Sequence, residues 1–266
     1  MNIGNWLRVV LLVQLSFMSL QVQAENNITK VEIISGLPKP PFIMPQTVRE
    51  PIEGPVLDNK VHSLHQGIQI DIIREALLSQ NYLPEFTHVP LARNITNFQK
   101  WHVDGVAILP LHFQYPGMFI SQPYVSYQNV VVNLKSRNYV INDLDDLSGK
   151  SIAAFQKAKE FLGPEYKDIV NYSLGYRELA DQNKQIELLF NGSVEVIILD
   201  INIFNYFLKT HQSKRHKVDT TVHYIFNERV YSAGFKSEEL RNAFNNGVDT
   251  LKERGQYQLI IDHYLK

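Results

Sequence analysis

Short apolar runs rich in β-branched residues alternate along this chain with stretches of helical period. That alternation constrains the fold more than any other feature. Val31–Ser35, 84–89, Val106–Leu109, Asn129–Leu134, Ser151–Phe155, Val194–Leu199, Thr221–Phe226 and Val230–Phe235 read as strands. Between them, Ile68, Ile72, Ala76 and Leu77 share one face of a helix running from Gly67 to about Gln80. Further helices are predicted over Asn94–His102, Lys159–Tyr166, Arg177–Phe190 and Ile203–Thr210. A long one after Ser237 sets Leu240, Phe244, Val248 and Leu251 on one side, with Ser237 as N-cap and Gly255 at its end. Tyr257–Leu265 is the last. Such alternation predicts an α/β fold with mostly parallel pairing.

The first 24 residues read differently. Arg8 is their one charged residue, an apolar run from Val9 to Leu20 follows, and Val22 and Ala24 suit cleavage after Ala24. This is the pattern of a secretory signal peptide, and the apolar stretch is short of a membrane span. Its removal leaves about 240 residues, enough for two lobes of ordinary domain size. The full chain carries 26 basic and 27 acidic residues, a balance that calls for neither nucleic acid nor an anionic membrane. The short basic cluster Lys214–Lys217 reads as a solvated loop. With no cysteine, disulfides, thiol nucleophiles and thiolate metal sites are excluded.

Two extended runs, near 126–135 and 223–231, bracket a middle section with its own strand–helix units. The simplest organisation is a discontinuous first lobe, 25–128 plus 229–266, with a second lobe, 129–228, inserted and two hinge strands between. The Pro-rich stretch from Gly36 to Gln66 is too long for a mere connector, and loops of that length tend to be functional.

Several stretches carry a resemblance. Pro40-Pro41-Phe42, Gly67–Asp71, Asp104–Ala107, Ile120–Tyr124, Leu144–Lys150, Leu188–Asp200 and Leu251–Tyr264 follow one another in the order found in bacterial extracellular solute-binding proteins of family 3. The chain resembles that family over nearly the whole mature sequence. The resemblance implies a two-lobed periplasmic-binding-protein type II fold that closes on a small molecule in a cleft. It also implies a monomer in the periplasm that hands its ligand to an inner-membrane transporter permease or receptor. Two departures stand out. Gln114 occupies the position where amino-acid binders of the family usually carry an arginine. Phe155–Lys159 replaces their usual Gly-Ser or Gly-Thr. Both changes remove donors that hold an α-carboxylate, so the implied ligand is small and polar, anionic or amino-acid-like, and an ordinary amino acid is not to be assumed.

Candidate ligand residues follow. Arg93 opens a helix where a guanidinium and free N–H groups could meet an anion. Its alternative is a surface arginine or one paired to a carboxylate. Asp200 matches the family's ammonium-binding acid, with a helix N-cap as the alternative. Phe42 and Tyr124 could stack on a ligand or simply pack. Gln114 is a candidate because it stands at the family's usual arginine position, Gln156 and Lys157 lie on a turn facing the expected cleft, and Tyr176, Glu178 and Gln182 are secondary candidates. Asp71 and Asp104 read as structural.

No cofactor or metal is predicted, because His62 and His65 fall short of the three or four ligands a site needs. No Gly-x-Ser-x-Gly elbow or phosphate loop is present, and the reading is a binder rather than an enzyme. Two alternatives remain: a cyclohexadienyl-dehydratase-like enzyme using Asp200 or Glu178 as its cleft acid, and a solitary sensing module without a transporter.

Overall fold

A computed structural model of the chain describes residues 28–45, 65–90, 100–110, 116–212 and 219–266, together with Arg93 and Phe98. The stretch 1–24, His62, most of the expected helix at 94–102, Gln114 and Lys214–Lys217 lie outside the described residues. The described chain builds two five-stranded sheets. The first contains β1 (Thr29–Ser35), β2 (Tyr82–His88), β3 (Gly105–Pro110), β4 (Phe119–Tyr127) and β10 (Arg229–Phe235), in the order β2-β1-β3-β10-β4. The second contains β5 (Asn129–Leu134), β6 (Ser151–Phe155), β7 (Gly175–Leu179), β8 (Val196–Asp200) and β9 (Thr220–His223), in the order β7-β6-β8-β5-β9.

The expectation of mostly parallel pairing needs correction. β1 runs parallel to β2 and β3, and β6 runs parallel to β7 and β8. β10 is antiparallel to β3 and β4, and β5 is antiparallel to β8 and β9. The antiparallel pairings belong to the strands next to the two crossings between sheets. A strand returning from the other sheet enters from the opposite end, so it runs against its neighbours.

Helix α1 (Ile68–Leu78) is buried along almost its whole length. Two of its buried charges pair: Arg74 bonds Asp71, which also accepts the Tyr264 hydroxyl proton. Helix α6 (Glu238–Glu253) crosses α1 so closely that a Cβ on Gly247 would stand 2.1 Å from the Ala76 carbonyl oxygen. The Ser237 hydroxyl accepts the Leu240 N–H at 3.1 Å, the expected cap, and Leu240, Phe244, Val248 and Leu251 are all buried. Helix α7 (Gln256–Leu265) follows Gly255 in the left-handed conformation.

Two helical expectations in the second sheet's layer change. The helix read over Lys159–Tyr166 is two, α2 (Ala158–Phe161) and α3 (Pro164–Ile169), parted by Gly163 at φ 100°. Pro164 starts the second because its missing N–H costs nothing in a first turn. The helix read over Arg177–Phe190 is strand β7, a turn, and then α4 (Asn183–Phe190). Helix α5 (Ile201–Gln212) starts directly after β8. β8 is buried on both faces, which explains its unbroken apolar run.

Candidate functional site

The site is built from the loop after β1. The Lys39 and Ile43 backbones exchange hydrogen bonds, N–H to carbonyl, at 2.9 and 3.2 Å. The N–H groups of Ile68 and Gln69, at the start of α1, donate at 3.1 Å to the carbonyls of Pro41 and Phe42. Gly67, at φ 125°, allows this approach, since a Cβ there would lie 2.4 Å from the Phe42 oxygen. The Phe42 ring then stacks on Tyr127 with centroids 4.0 Å apart. The Lys39 ammonium sits 4.6 Å from the Tyr127 ring centre. Tyr127 donates its hydroxyl proton to Gln69 at 3.0 Å.

Opposite this loop lie the ends of β6 and β8. Between the walls lies a partly open cleft, and a cleft between two layers is where proteins most often take a small molecule. Lys39, Tyr127 and Tyr231 line it from the first sheet's side, and Phe155, Gln182 and Asp200 from the second's. Rings from the two sides meet: Phe161 lies 5.7 Å from Tyr231 across the cleft and 6.2 Å from Phe155 on its own side, centre to centre.

Asp200 is 2% exposed. Its Oδ1 accepts the N–H of Asn202 at 2.7 Å and of Ile203 at 3.2 Å, capping α5. Its Oδ2 accepts the Gln128 N–H at 2.8 Å. Burial pushes its carboxyl up to about 6, against the opposing pull of these three N–H groups and of Lys39. Burial lowers the Lys39 ammonium to about 8, and Asp200 resists that shift. A half-buried cation and a buried anion thus share the cleft.

The residues singled out by sequence divide between several places. Gln156 and Asp200 line the cleft. Phe42 lies behind Tyr127 rather than on the cleft surface. Tyr124 sits in the core of the first lobe, its ring edge-on to Phe244 and its hydroxyl bonded to the Ala107 carbonyl. Arg93 is exposed and does not line the cleft. Lys157 takes the left-handed conformation and pairs with Glu160 at 2.5 Å. Gln114 is outside the described residues. Asp104 accepts the Glu32 N–H at 2.8 Å. His65 meets His88 at 2.6 Å, and among the described residues no three metal-ligating side chains gather. Sequence reasoning missed Lys39, Tyr127 and Tyr231. Lys39 immediately precedes Pro40-Pro41-Phe42, the one available signal.

Glu178 has an unforeseen part. Its carboxylate accepts the N–H groups of Lys157 and Lys159 at 2.8 and 3.0 Å, and the Tyr176 hydroxyl at 2.8 Å. It fills the turn that follows β6 from within the protein.

The fold has many counterparts among solved structures. A substrate-binding protein of an amino-acid ABC transporter from Streptococcus pneumoniae, bound to L-arginine, superimposes with a TM-score of 0.68 at 18% identity, over 91% of this chain and 98% of that one. The chain has the two-lobed periplasmic-binding-protein fold. An ancestral amino-acid-binding protein, described as a precursor of cyclohexadienyl dehydratase, shares the binding-protein fold with a TM-score of 0.67 at 16% identity, over 89% and 96% of the two chains. A histidine kinase sensor domain similar to periplasmic binding proteins gives 0.69 at 14% identity, over 91% and 98%. No family model matches the sequence, and no curated protein matches it. Within the binding-protein fold, each sheet is the centre of one lobe and the cleft described above lies between them.

Proposed function

We propose that this chain is an exported solute-binding protein that captures a small polar molecule between its lobes and passes it to an inner-membrane transporter or sensor. On this reading residues 1–24 are removed on export. Lobe 1 is 25–128 plus 229–266, and lobe 2 is 129–228. One observation carries the proposal: charged and aromatic side chains from both lobes converge on a single cleft. The neighbours that serve transport and sensing support the two possible destinations.

The enzyme reading needed a free cleft acid. Asp200 takes three backbone N–H groups and Glu178 takes two, so both carboxylates are engaged in holding the fold. Binding without turnover therefore fits the site better. The test is thermal melting of the mature protein against a library of small metabolites. A ligand at about 100 times its Kd should stabilise the folded state by about 2.7 kcal/mol. The compound should be recovered unchanged after incubation. A library that shifts nothing, or a hit that is consumed, contradicts the proposal.

A further inference from the structure

The polar groups of the cleft are unevenly satisfied. Among the described residues, the Lys39 ammonium has no ion-pair or hydrogen-bond partner; the Tyr127 face lies beside it and the Asp200 carboxylate acts on it from beyond contact. The side-chain oxygen of Gln182, on the other lobe, is buried and accepts nothing. A half-buried ammonium lacks acceptors, and a buried amide oxygen lacks a donor. Between them the walls are aromatic: Tyr127 and Tyr231 from one lobe, Phe155 and Phe161 from the other. On the second lobe, the N–H groups after β6 that could cradle a carboxylate are closed off by Glu178. The anionic end of a ligand is thereby directed to the first lobe. An α-ammonium beside that carboxylate would stand next to Lys39, where its available acceptor, Asp200, already takes three N–H groups.

We propose that the cleft selects a flat aromatic acid, with its carboxylate on Lys39, its ring against the aromatic lining, and a hydroxyl or N–H donor on the Gln182 oxygen. This rests on the solute-binding reading and narrows it to a ligand class.

Four probes that share a phenyl ring separate the terms: 4-hydroxyphenylacetate, phenylacetate, tyramine and L-tyrosine. Calorimetric titration of the mature wild-type protein should rank 4-hydroxyphenylacetate first. Phenylacetate, lacking the donor, should bind about tenfold more weakly. Tyramine and L-tyrosine should be weaker by at least about tenfold. Lys39→Met should remove binding of both acids. Gln182→Ala should bring 4-hydroxyphenylacetate down to the level of phenylacetate and leave phenylacetate unchanged. The wild-type ranking decides the matter even if a variant fails to fold. Tighter binding of tyramine or L-tyrosine, or failure of both acids while another library compound raises the melting temperature, overturns the ligand class and leaves solute binding standing. The absence of any library hit overturns solute binding itself.

Discussion

At the scale of single residues, Lys39 and Asp200 set the electrostatics of the cleft. A lysine between two prolines in a long loop reads as solvated. Its burial comes from the Tyr127 ring beneath it and the lobe across from it, contacts that no local pattern announces. Asp200 was legible because it ends an apolar strand and starts a helix, the place where an acid caps. The pH dependence follows. With Lys39 lowered to about 8, capture of a carboxylate should weaken above pH 8, approaching about tenfold per pH unit. Asp200 raises the lysine toward its ordinary value, so Asp200→Asn should move that loss to lower pH. Titrations from pH 6 to 10 check both, and a flat profile counts against Lys39 as the anchor. Glu75 gives a stability test. Burial pushes its carboxyl up to about 7, so the folded state holds a proton that the unfolded chain releases near 4.5. This contribution is complete below 4.5 and is lost as pH rises through 7. Glu75→Gln should therefore gain on the wild type across that window, by about 3 kcal/mol at pH 8. Denaturant unfolding at pH 4 and pH 8 reads the difference, and an equal gap at both pH values contradicts it.

At the scale of elements, most strands and helices were legible because each is long enough to show its period. β6 is Ser151–Phe155 as read, and α6 keeps its predicted cap and apolar face. The errors lie where two elements share one pattern. Leu179, Ile186 and Leu189 have helical spacing, yet Leu179 ends an edge strand, and every residue of β7 is at least partly exposed. An edge strand lacks the alternation that would have set it apart. Glu178 read as a cleft acid because sequence does not show which way an edge-strand side chain turns. Among these elements, the start of α1 matters most for the site, since it holds the Lys39–Phe42 loop in place. Gly67→Ala would drive a methyl into the Phe42 carbonyl. It should destabilise the protein by about 2 kcal/mol and weaken ligand binding together with stability. A variant that melts and binds like the wild type would show that the loop is not held this way.

At the scale of the whole molecule, the two crossings between lobes are tied together by one residue. Gln128 donates its side-chain amide to Asn129 in the first crossing and Phe226 in the second, at 2.9 and 2.8 Å, while Asp200 holds its backbone. Arg229 reaches across to the Leu162 carbonyl at 2.9 Å. Of the two extended runs read from the sequence, the first is the end of β4 with β5, and the second only joins β9 to β10 through 224–228, which form no strand. The sequence did not announce the antiparallel pairings that the crossings impose, since strand direction depends on where the chain re-enters a sheet. The central claim is that a small molecule is held by both lobes at once. Hydrogen exchange, with and without the compound that gives the largest melting shift, tests it directly. Ligand should slow exchange together at 36–43 in the first lobe and at 155–161 and 180–182 in the second. Protection confined to one lobe, or absent from both, would contradict the account.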